Sequence, residues 1–585
     1  IDEPFKKIAE RLNVKYILTS ELYKTESELQ LRSQLINTYT GVSEYAKKWT
    51  ETIDKSSQIV SQLSNQLLNI VLPDNTIETQ RLVDSKSYSL YLKGKSFAKD
   101  GNTYNNLSQE EIKNVRNLFY KSINLDSTNI DAQIQLARTF NYSEEPDSAI
   151  SILNKSLPIA NMNQNKKLIG RIYRNLGISY RLKDRERTYL DSTYSNTYVI
   201  SNYKKAANFA KNSNDINGYW NAKKNMILTF VYGTYPIDSA HTHCNQLLEY
   251  AIDHNNLEIE ASVYDLKALS YIHNGNDTKA RYYNDKALAL DKHISISNKI
   301  LYLNTSSWIK TNNNTIYEEL SLYEEMLSLN KKINDNNGIV NSLMKLAQSY
   351  MYPLSDFTQS ESLIKDALKY ESLLHEFKFE KLKLYRLMAQ NNLHQGKYHD
   401  ALFYSNKAKD TFKKPDSFIS VLQNTFLAYS YFYLNDFESA KIYLDSLIKL
   451  MESSGDRPEI FILAYLNEIN LGNYNTTEIL IKNPFKELLT DNQKISINDL
   501  STLLLNMNIA ELTKWMEKDL LILNFYNFYN LYSLTGDDNT AIKHLTKAHD
   551  EIIRVKSNLT EQDQKNFISK NNFVKMVLTE WGNLK

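Results

Sequence analysis

"YRLMAQNNLHQGKYHDALFYSNKAKD" occupies residues 385–410 and decides how the chain is read. Ala389 lies in a first helical segment. Gly396 and Tyr398 mark a turn, and Ala401 and Ala408 lie seven apart on a second segment. Small residues at that spacing lie on one helix face and let a neighbouring helix approach closely. Gly396 supplies the left-handed conformation that ends a helix. The stretch is therefore expected to form a tight helical hairpin.

The same spacing recurs along the chain. Ala268, Tyr271, Gly275, Ala280 and Ala287 repeat it, as do Ala428, Tyr431, Phe437 and Ala440. Ala137, Phe140 and Ala149 follow it, then Ala347, Tyr350 and Ala367, and finally Tyr532, Gly536, Ala541 and Ala548. Gly94/Phe97, Gly177/Tyr180 and Gly472/Tyr474 are looser copies. This pattern resembles the tetratricopeptide repeat over roughly residues 85–555. The resemblance implies stacked helical hairpins forming a superhelix whose first helices line a groove. Units here often lie about 40 rather than 34 residues apart, so lengthened helices and irregular loops are expected. "DRERTYLDSTYSNTYVISN" (184–202) is one such irregularity.

Composition agrees. Among 585 residues there are 14 Gly, 9 Pro and 41 Tyr. Few turn glycines suit helix pairs, and tyrosine suits half-buried helix seams because its ring is buried while its hydroxyl stays wet. The 69 basic and 68 acidic residues nearly cancel, so no long-range field draws nucleic acid or an anionic membrane. Cys244 stands alone, which excludes an internal disulfide framework. No apolar run is long enough to span a bilayer as a helix, and no signal peptide is visible.

The start of the chain is different. Residues 3–12 are expected to form a short amphipathic helix, with Pro4 in its first turn and Phe5, Ile8, Ala9 and Leu12 at helical spacing. The period then changes to two. Strands are expected at Lys15–Ser20, Leu29–Ile36 and Val42–Thr50, with a polar turn ending at Glu26-Ser27. Helix returns over 54–71, and Pro73-Asp74-Asn75 marks a boundary.

Leu12-Asn13-Val14, the alternating second strand, Thr40-Gly41, and the aromatic pair Tyr45 and Trp49 resemble the second half of a TolB-like (FlgO-like) N-terminal domain. "DSKSYSLYLKGKSF" (84–97) resembles the first repeat helix that follows this domain. The resemblance implies the C-terminal part of a larger bacterial signalling protein, with a Ser/Thr kinase, nucleotide cyclase or winged-helix module upstream. The chain is thus expected to start inside its first domain. "HDEIIRVKSNLTEQDQKNFISKNNFVKMVLTEW" (549–581) reads as a helix, a break near Asn558-Leu559-Thr560, and a closing helix that covers the last repeat.

No catalytic constellation emerges. In "AHTHC" (240–244) His241 and His243 are two apart on a helix and point in nearly opposite directions, so they are read as packing and surface residues. "LKGKSF" (92–97) lacks the upstream glycine of a phosphate loop and lies on a helix. Glu318-Glu319 and Glu324-Glu325 are read as a solvated helix face. The Asn304-Thr305-Ser306 sequon reflects an Asn- and Lys-rich composition.

Binding is the expected activity. Arg171 and Arg174 lie one turn apart, with Arg181 about two turns on, and Lys383 and Arg386 take comparable positions in a later repeat. Such groups can hold a carboxylate or acidic peptide. Tyr429 and Tyr433 are further candidate groove contacts, or else inter-repeat packing. The expected fold is mainly α, a tetratricopeptide-like α-α superhelix preceded by a small α/β domain. The expected divisions are 1–75, 76–555 and a C-terminal capping helix at 556–585. The expected function is a non-catalytic protein- or peptide-binding scaffold or sensory region of a bacterial signalling protein, without cofactor or metal. It would be periplasmic if it follows a transmembrane segment and cytoplasmic otherwise. Two alternatives stand beside it. One is a free-standing periplasmic or cell-envelope assembly factor, and the other is part of an enzyme whose catalytic domain lies upstream of Ile1.

Overall fold

The computed structural model describes residues 16–38, 40, 42–52, 59, 62–63, 66–67, 84–98, 104, 107, 109–143, 145–190, 197–232, 237–312, 316–370, 377–412, 417–451, 458–472, 481–482, 494–495, 497–507 and 518–584. The expected helix at 3–12, most of the one at 54–71, the 73–75 boundary and Tyr474 lie outside these residues.

The chain forms two compact units. The first comprises residues 1–187 and 194–229, and the second comprises 188–193 and 230–585. The units thus divide inside the repeat stretch.

In the first unit an antiparallel sheet has the order β1 (Tyr16–Lys24), β2 (Glu28–Asn37), β3 (Ser43–Thr52). These are the three strands the alternation predicted. Leu18 faces Leu35, and Leu35 faces Tyr45 on the other side. Leu22 faces Leu31, which in turn faces Trp49. Leu35 and Trp49 are buried, whereas Leu18 and Leu22 on β1 remain 43% and 65% exposed.

Helices α1 (Ser85–Lys95), α2 (Gln109–Leu125), α3 (Ile130–Tyr142), α4 (Pro146–Met162), α5 (Lys166–Leu190) and α6 (Thr197–Lys211) follow, then α7 (Ile216–Tyr232), which reaches the unit's edge. Successive helices pack as pairs around Val115, Phe119, Ile134, Leu136, Leu153 and Ile172, each at most 1% exposed. Gly177 on α5 is a small position because the Tyr203 ring of α6 fills the space beside it. An added Cβ would lie 2.5 Å from that ring.

The second unit contains α8 (Ile237–Asp253), α9 (Leu257–His273), α10 (Asp277–Leu288), α11 (Ile296–Asn312), α12 (Ile316–Lys332), α13 (Asn336–Met351), α14 (Phe357–Leu368), α15 (Phe377–His394), α16 (Tyr398–Lys409), α17 (Ser417–Tyr433), α18 (Phe437–Met451) and α19 (Pro458–Asn470). A two-residue antiparallel pair, β4 (Ile481–Lys482) with β5 (Lys494–Ile495), interrupts the helices. Then come α20 (Ile497–Asn506), α21 (Leu521–Thr535), α22 (Asp538–Lys556), α23 (Glu561–Lys570) and α24 (Asn572–Asn583).

The hairpins are tetratricopeptide-like. Ala280, Ala287, Ala367, Ala401, Ala408, Ala440, Ala541 and Ala548 are all at most 1% exposed, at the seams where second helices meet their neighbours. Two hairpins carry the same ring stack twelve residues apart. Tyr271 lies over Tyr283 with centroids 5.6 Å apart, and Tyr431 lies over Tyr443 at the same separation. Few glycines are needed because asparagine takes the left-handed turns as well. Asn214, Asn255, Asn334 and Asn435 have φ of 48–60°, alongside Gly275, Gly396, Gly472 and Gly536 at 68–82°.

The tail departs from the single closing helix expected. After the break at 557–560 it forms α23 and α24. The division occurs at Asn571, whose side-chain oxygen accepts from the amides of Phe573 and Val574 and so caps a new helix.

Candidate functional site

In the first unit Arg138 comes from α3, and Arg171 and Arg174 from α5, the first helices of successive pairs. Arg171 forms an ion pair with Asp131. Arg138 reaches Gln135 Oε1 at 3.5 Å, and Gln135 also accepts from the Tyr104 hydroxyl at 3.0 Å. Arg174 is enclosed, and its Nε has no hydrogen-bond acceptor among the described residues. Burial, with Arg138 and Arg171 beside it, pulls its pKa down to about 10, against a partial offset from Asp215. Arg181 lies farther along α5; it and Arg174 both lie near Tyr203, whose buried hydroxyl has no hydrogen-bond partner among the described residues and is pushed up to about 12 by that burial. The structure therefore brings Arg171 and Arg174 together with Arg138, which the sequence did not single out. Arg181 shares Tyr203 with Arg174.

In the second unit Lys383 and Arg386 line a cavity of about 650 Å³. One side is built from α12, α13, α15 and α17. The other is built from the chain's later elements, through Asp519, Arg554, Val555, Asn558 and Leu559. Lys383 Nζ lies 4.1 Å from the Phe379 ring centre, and the Arg386 guanidinium 5.2 Å from that of Phe426. Lys345 lines the same space and donates to Asn304 Oδ1 at 2.8 Å. Burial lowers the pKa of Lys345 and Lys383; Glu319 opposes this at Lys345, and at Lys383 Glu380 opposes it while Arg386 adds to it.

Three readings from sequence need correction here. Tyr429 is 0% exposed and its hydroxyl reaches Asn524. Tyr433 donates to Asn527 Oδ1 at 2.8 Å and stacks on Tyr398. Both tyrosines are thus occupied by α21 and are not open groove contacts. The physical reason is that a helix about 95 residues later docks on the face that α17 would otherwise present. Glu319 is 8% exposed and lines the cavity, so only its neighbours Glu318, Glu324 and Glu325 belong to an exposed face.

The histidines of "AHTHC" diverge as their spacing predicted. His241 Nε2 meets Ser270, and His243 stacks on Phe230. Cys244 is fully buried, and burial pushes its thiol up to about 12.

No family model and no curated protein matches the chain. Among solved structures it is similar to the apo form of the quorum sensor NprR from B. thuringiensis, at 11% identity and a TM-score of 0.41, over 67% of this chain and 99% of that one. A signal transduction ATPase with a tetratricopeptide repeat sensor, from Pyrococcus horikoshii, aligns at 14% identity and a TM-score of 0.40. That alignment spans 87% of this chain and 74% of the other. The human IFIT1 dimer with PPP-AAAA aligns at 13% and 0.31, over 85% and 94%.

Proposed function

We propose that this chain is a non-catalytic binding scaffold whose first helices hold an acidic protein or peptide segment. The observation that carries this reading is Arg174. Its guanidinium lies within electrostatic reach of Arg138 and Arg171, its Nε has no acceptor among the described residues, and Asp131 is already paired with Arg171. A buried cation next to two others is costly unless an anion joins it. A peptide carboxylate would supply that anion through paired hydrogen bonds. The recurrence of a basic pair three residues apart, Arg171/Arg174 and Lys383/Arg386, supports recognition by the first helices in general.

The wider setting extends the same reading. The strand order and the Tyr45/Trp49 pair support a TolB-like domain at the start of the chain. That in turn favours a sensory or scaffold region of a bacterial signalling protein over a free-standing envelope factor or a fragment with catalysis upstream. Fluorescence anisotropy with a labelled Glu-rich peptide tests the binding claim. Arg174→Ala should weaken binding about tenfold or more, and Arg171→Ala less, because Arg171 is partly committed to Asp131. Equal affinity of Arg174→Ala and the parent chain would sink the reading.

A further inference from the structure

Near-neutrality of the whole chain conceals an uneven distribution of charge. Residues 166–229, from α5 into α7, hold thirteen Lys and Arg against four Asp and Glu, a formal charge of +9. Residues 84–165 before them hold nine of each. The chain as a whole carries +1, so everything outside 166–229 sums to −8. Acidic groups also reach in from neighbouring helices, Asp131 of α3 to Arg171 and Asp147 of α4 to Lys183. With both deducted, a surplus of seven cations remains. A local excess of this size sets up a field over its own face, whatever the total charge.

The fold gathers this excess. Gly170 of α5 lies against Phe209 of α6, and Gly177 against Tyr203, so the two helices run antiparallel. Lys166 and Lys167, in the first turn of α5, therefore come to the end of α6 that carries Lys211, and all three are exposed. α5 has no acidic residue in its first turn. Two cations thus stand at the positive end of its dipole, where carboxylates are the stabilising choice. Lys204 lies seven residues before Lys211, on the same face of α6. Lys223 of α7 lies within electrostatic reach of both. Burial lowers its pKa, and Lys211 and Lys204 lower it further.

The rings beside these lysines bear on what they attract. Single-stranded nucleic acid needs open aromatic faces on which bases stack. Here Tyr173 stacks on Phe209 with centroids 5.8 Å apart, and Lys205 Nζ lies 5.2 Å from the Tyr173 ring centre. Lys224 Nζ lies 5.3 Å from that of Trp220. Tyr198, though 70% exposed, stacks on Tyr180. The rings are thus engaged with one another or with lysines. Carboxylates on flexible side chains need no such platform and can also reach the enclosed Arg174.

We propose that α5 and α6 present an electrostatic docking face, in which Lys166, Lys167, Lys204, Lys205 and Lys211 draw in an acidic polypeptide segment of a partner protein. The partner class rests on the acidic-segment reading above, whereas the exposed face and its role in association go beyond it. Exposed charges of this kind act mainly on the association rate, and an enclosed charge pair acts mainly on dissociation. The two readings therefore fail separately.

Stopped-flow anisotropy with the full chain and a fluorescein-labelled Glu-rich peptide reads both rates. At low salt, the double variant Lys204→Glu/Lys211→Glu should slow association about tenfold and change dissociation less than twofold. At 0.5 M NaCl the loss should shrink to about twofold or less, because screening shortens the reach of the field to a few ångström. The control Lys397→Glu/Lys565→Glu, exposed in the second unit, should leave both rates unchanged. Association unchanged in the Lys204/Lys211 variant, or slowed equally in the control, overturns the docking face and leaves the Arg174 reading standing. Slowed association in the lysine variant, with both rates normal in Arg174→Ala, upholds the face and sinks the Arg174 anchor instead. The parent chain is also offered an oligothymidylate of equal charge and phosphatidylserine vesicles. Tighter binding of either than of the peptide overturns the assignment to a polypeptide without any variant being made.

Discussion

The hydroxyl of Tyr433, at the end of α17, donates to Asn527 Oδ1 in the middle of α21 at 2.8 Å, and Asn527 is 0% exposed. This bond ties a repeat helix to one that begins almost ninety residues later. Tyr433→Phe keeps the ring stacked on Tyr398 and packed against Phe573. It removes only the donor and leaves a buried carbonyl oxygen unpaired. The cost is expected to be about 1–3 kcal/mol. Urea unfolding followed by tyrosine and tryptophan fluorescence measures it. An unchanged midpoint would mean that the docking of α21 does not depend on this bond.

His394 gives the second unit a pH dependence. Its ring is fully buried among Tyr352, Phe357 and Phe573, and Asn571 Nδ2 donates to its Nδ1 at 3.4 Å. Burial lowers its pKa from 6.5 to about 4. Between those values the unfolded chain takes up a proton that the folded one refuses. Stability therefore falls as pH drops from about 6.5 towards 4 and levels off below. His544 acts in the same direction down to about 3, because burial and Lys547 both disfavour its charged form. Melting temperatures measured from pH 7.5 to 4 should decline. His394→Gln should flatten part of that slope, and an identical slope in the variant would count against His394.

What could be read from the sequence was local, and what could not was distant. The three strands were legible because a period of two is a short-range signal. The buried alanines were legible because spacing on one helix suffices to place them. Gly396 was legible as a left-handed turn for the same reason. Tyr429 and Tyr433 stayed open between groove contact and inter-repeat packing because the helix that covers them lies about 95 residues away. Glu319 was read as solvated because its neighbours are, yet the adjacent residue on a helix points elsewhere. The cavity was invisible for a related reason. Its walls meet across contacts such as Tyr317 to Asp563, 246 residues apart, and no periodicity records such a meeting. The division of the tail at Asn571 was available in principle, since Asn is a strong helix cap. The apolar spacing on either side masked it.

Cys244 should behave as a core residue. It is 0% exposed on α8, and burial holds its thiol near 12, far above the pH at which thiolate chemistry proceeds. The native chain should react with a thiol-specific disulfide reagent at pH 8 only as fast as the second unit opens, and completely in urea. Stoichiometric labelling within seconds under native conditions would show that the α8 seam is more open than this packing allows.

Gly396 and Gly536 end helices in the same way, with φ of +73° and +82°, but they differ in what lies beside them. Nothing lies within 4 Å of a Cβ added at Gly536. A Cβ at Gly396 would lie 3.0 Å from Asn572 Cγ at the start of α24. Asn572 cannot move freely, because its Nδ2 donates to the Tyr398 hydroxyl at 3.0 Å. Gly536→Ala should therefore cost only the left-handed backbone penalty, about 1–2 kcal/mol. Gly396→Ala should cost that and roughly 1 kcal/mol more, the lower end of what overpacking incurs. Combining Gly396→Ala with Asn572→Ala separates the two parts, since residues in contact show non-additive effects. The double variant should recover the excess and leave Gly396→Ala no worse than Gly536→Ala. Strict additivity would mean that α24 does not press on the α15–α16 turn, and the packing of the terminal helices against the repeats would have to be redrawn.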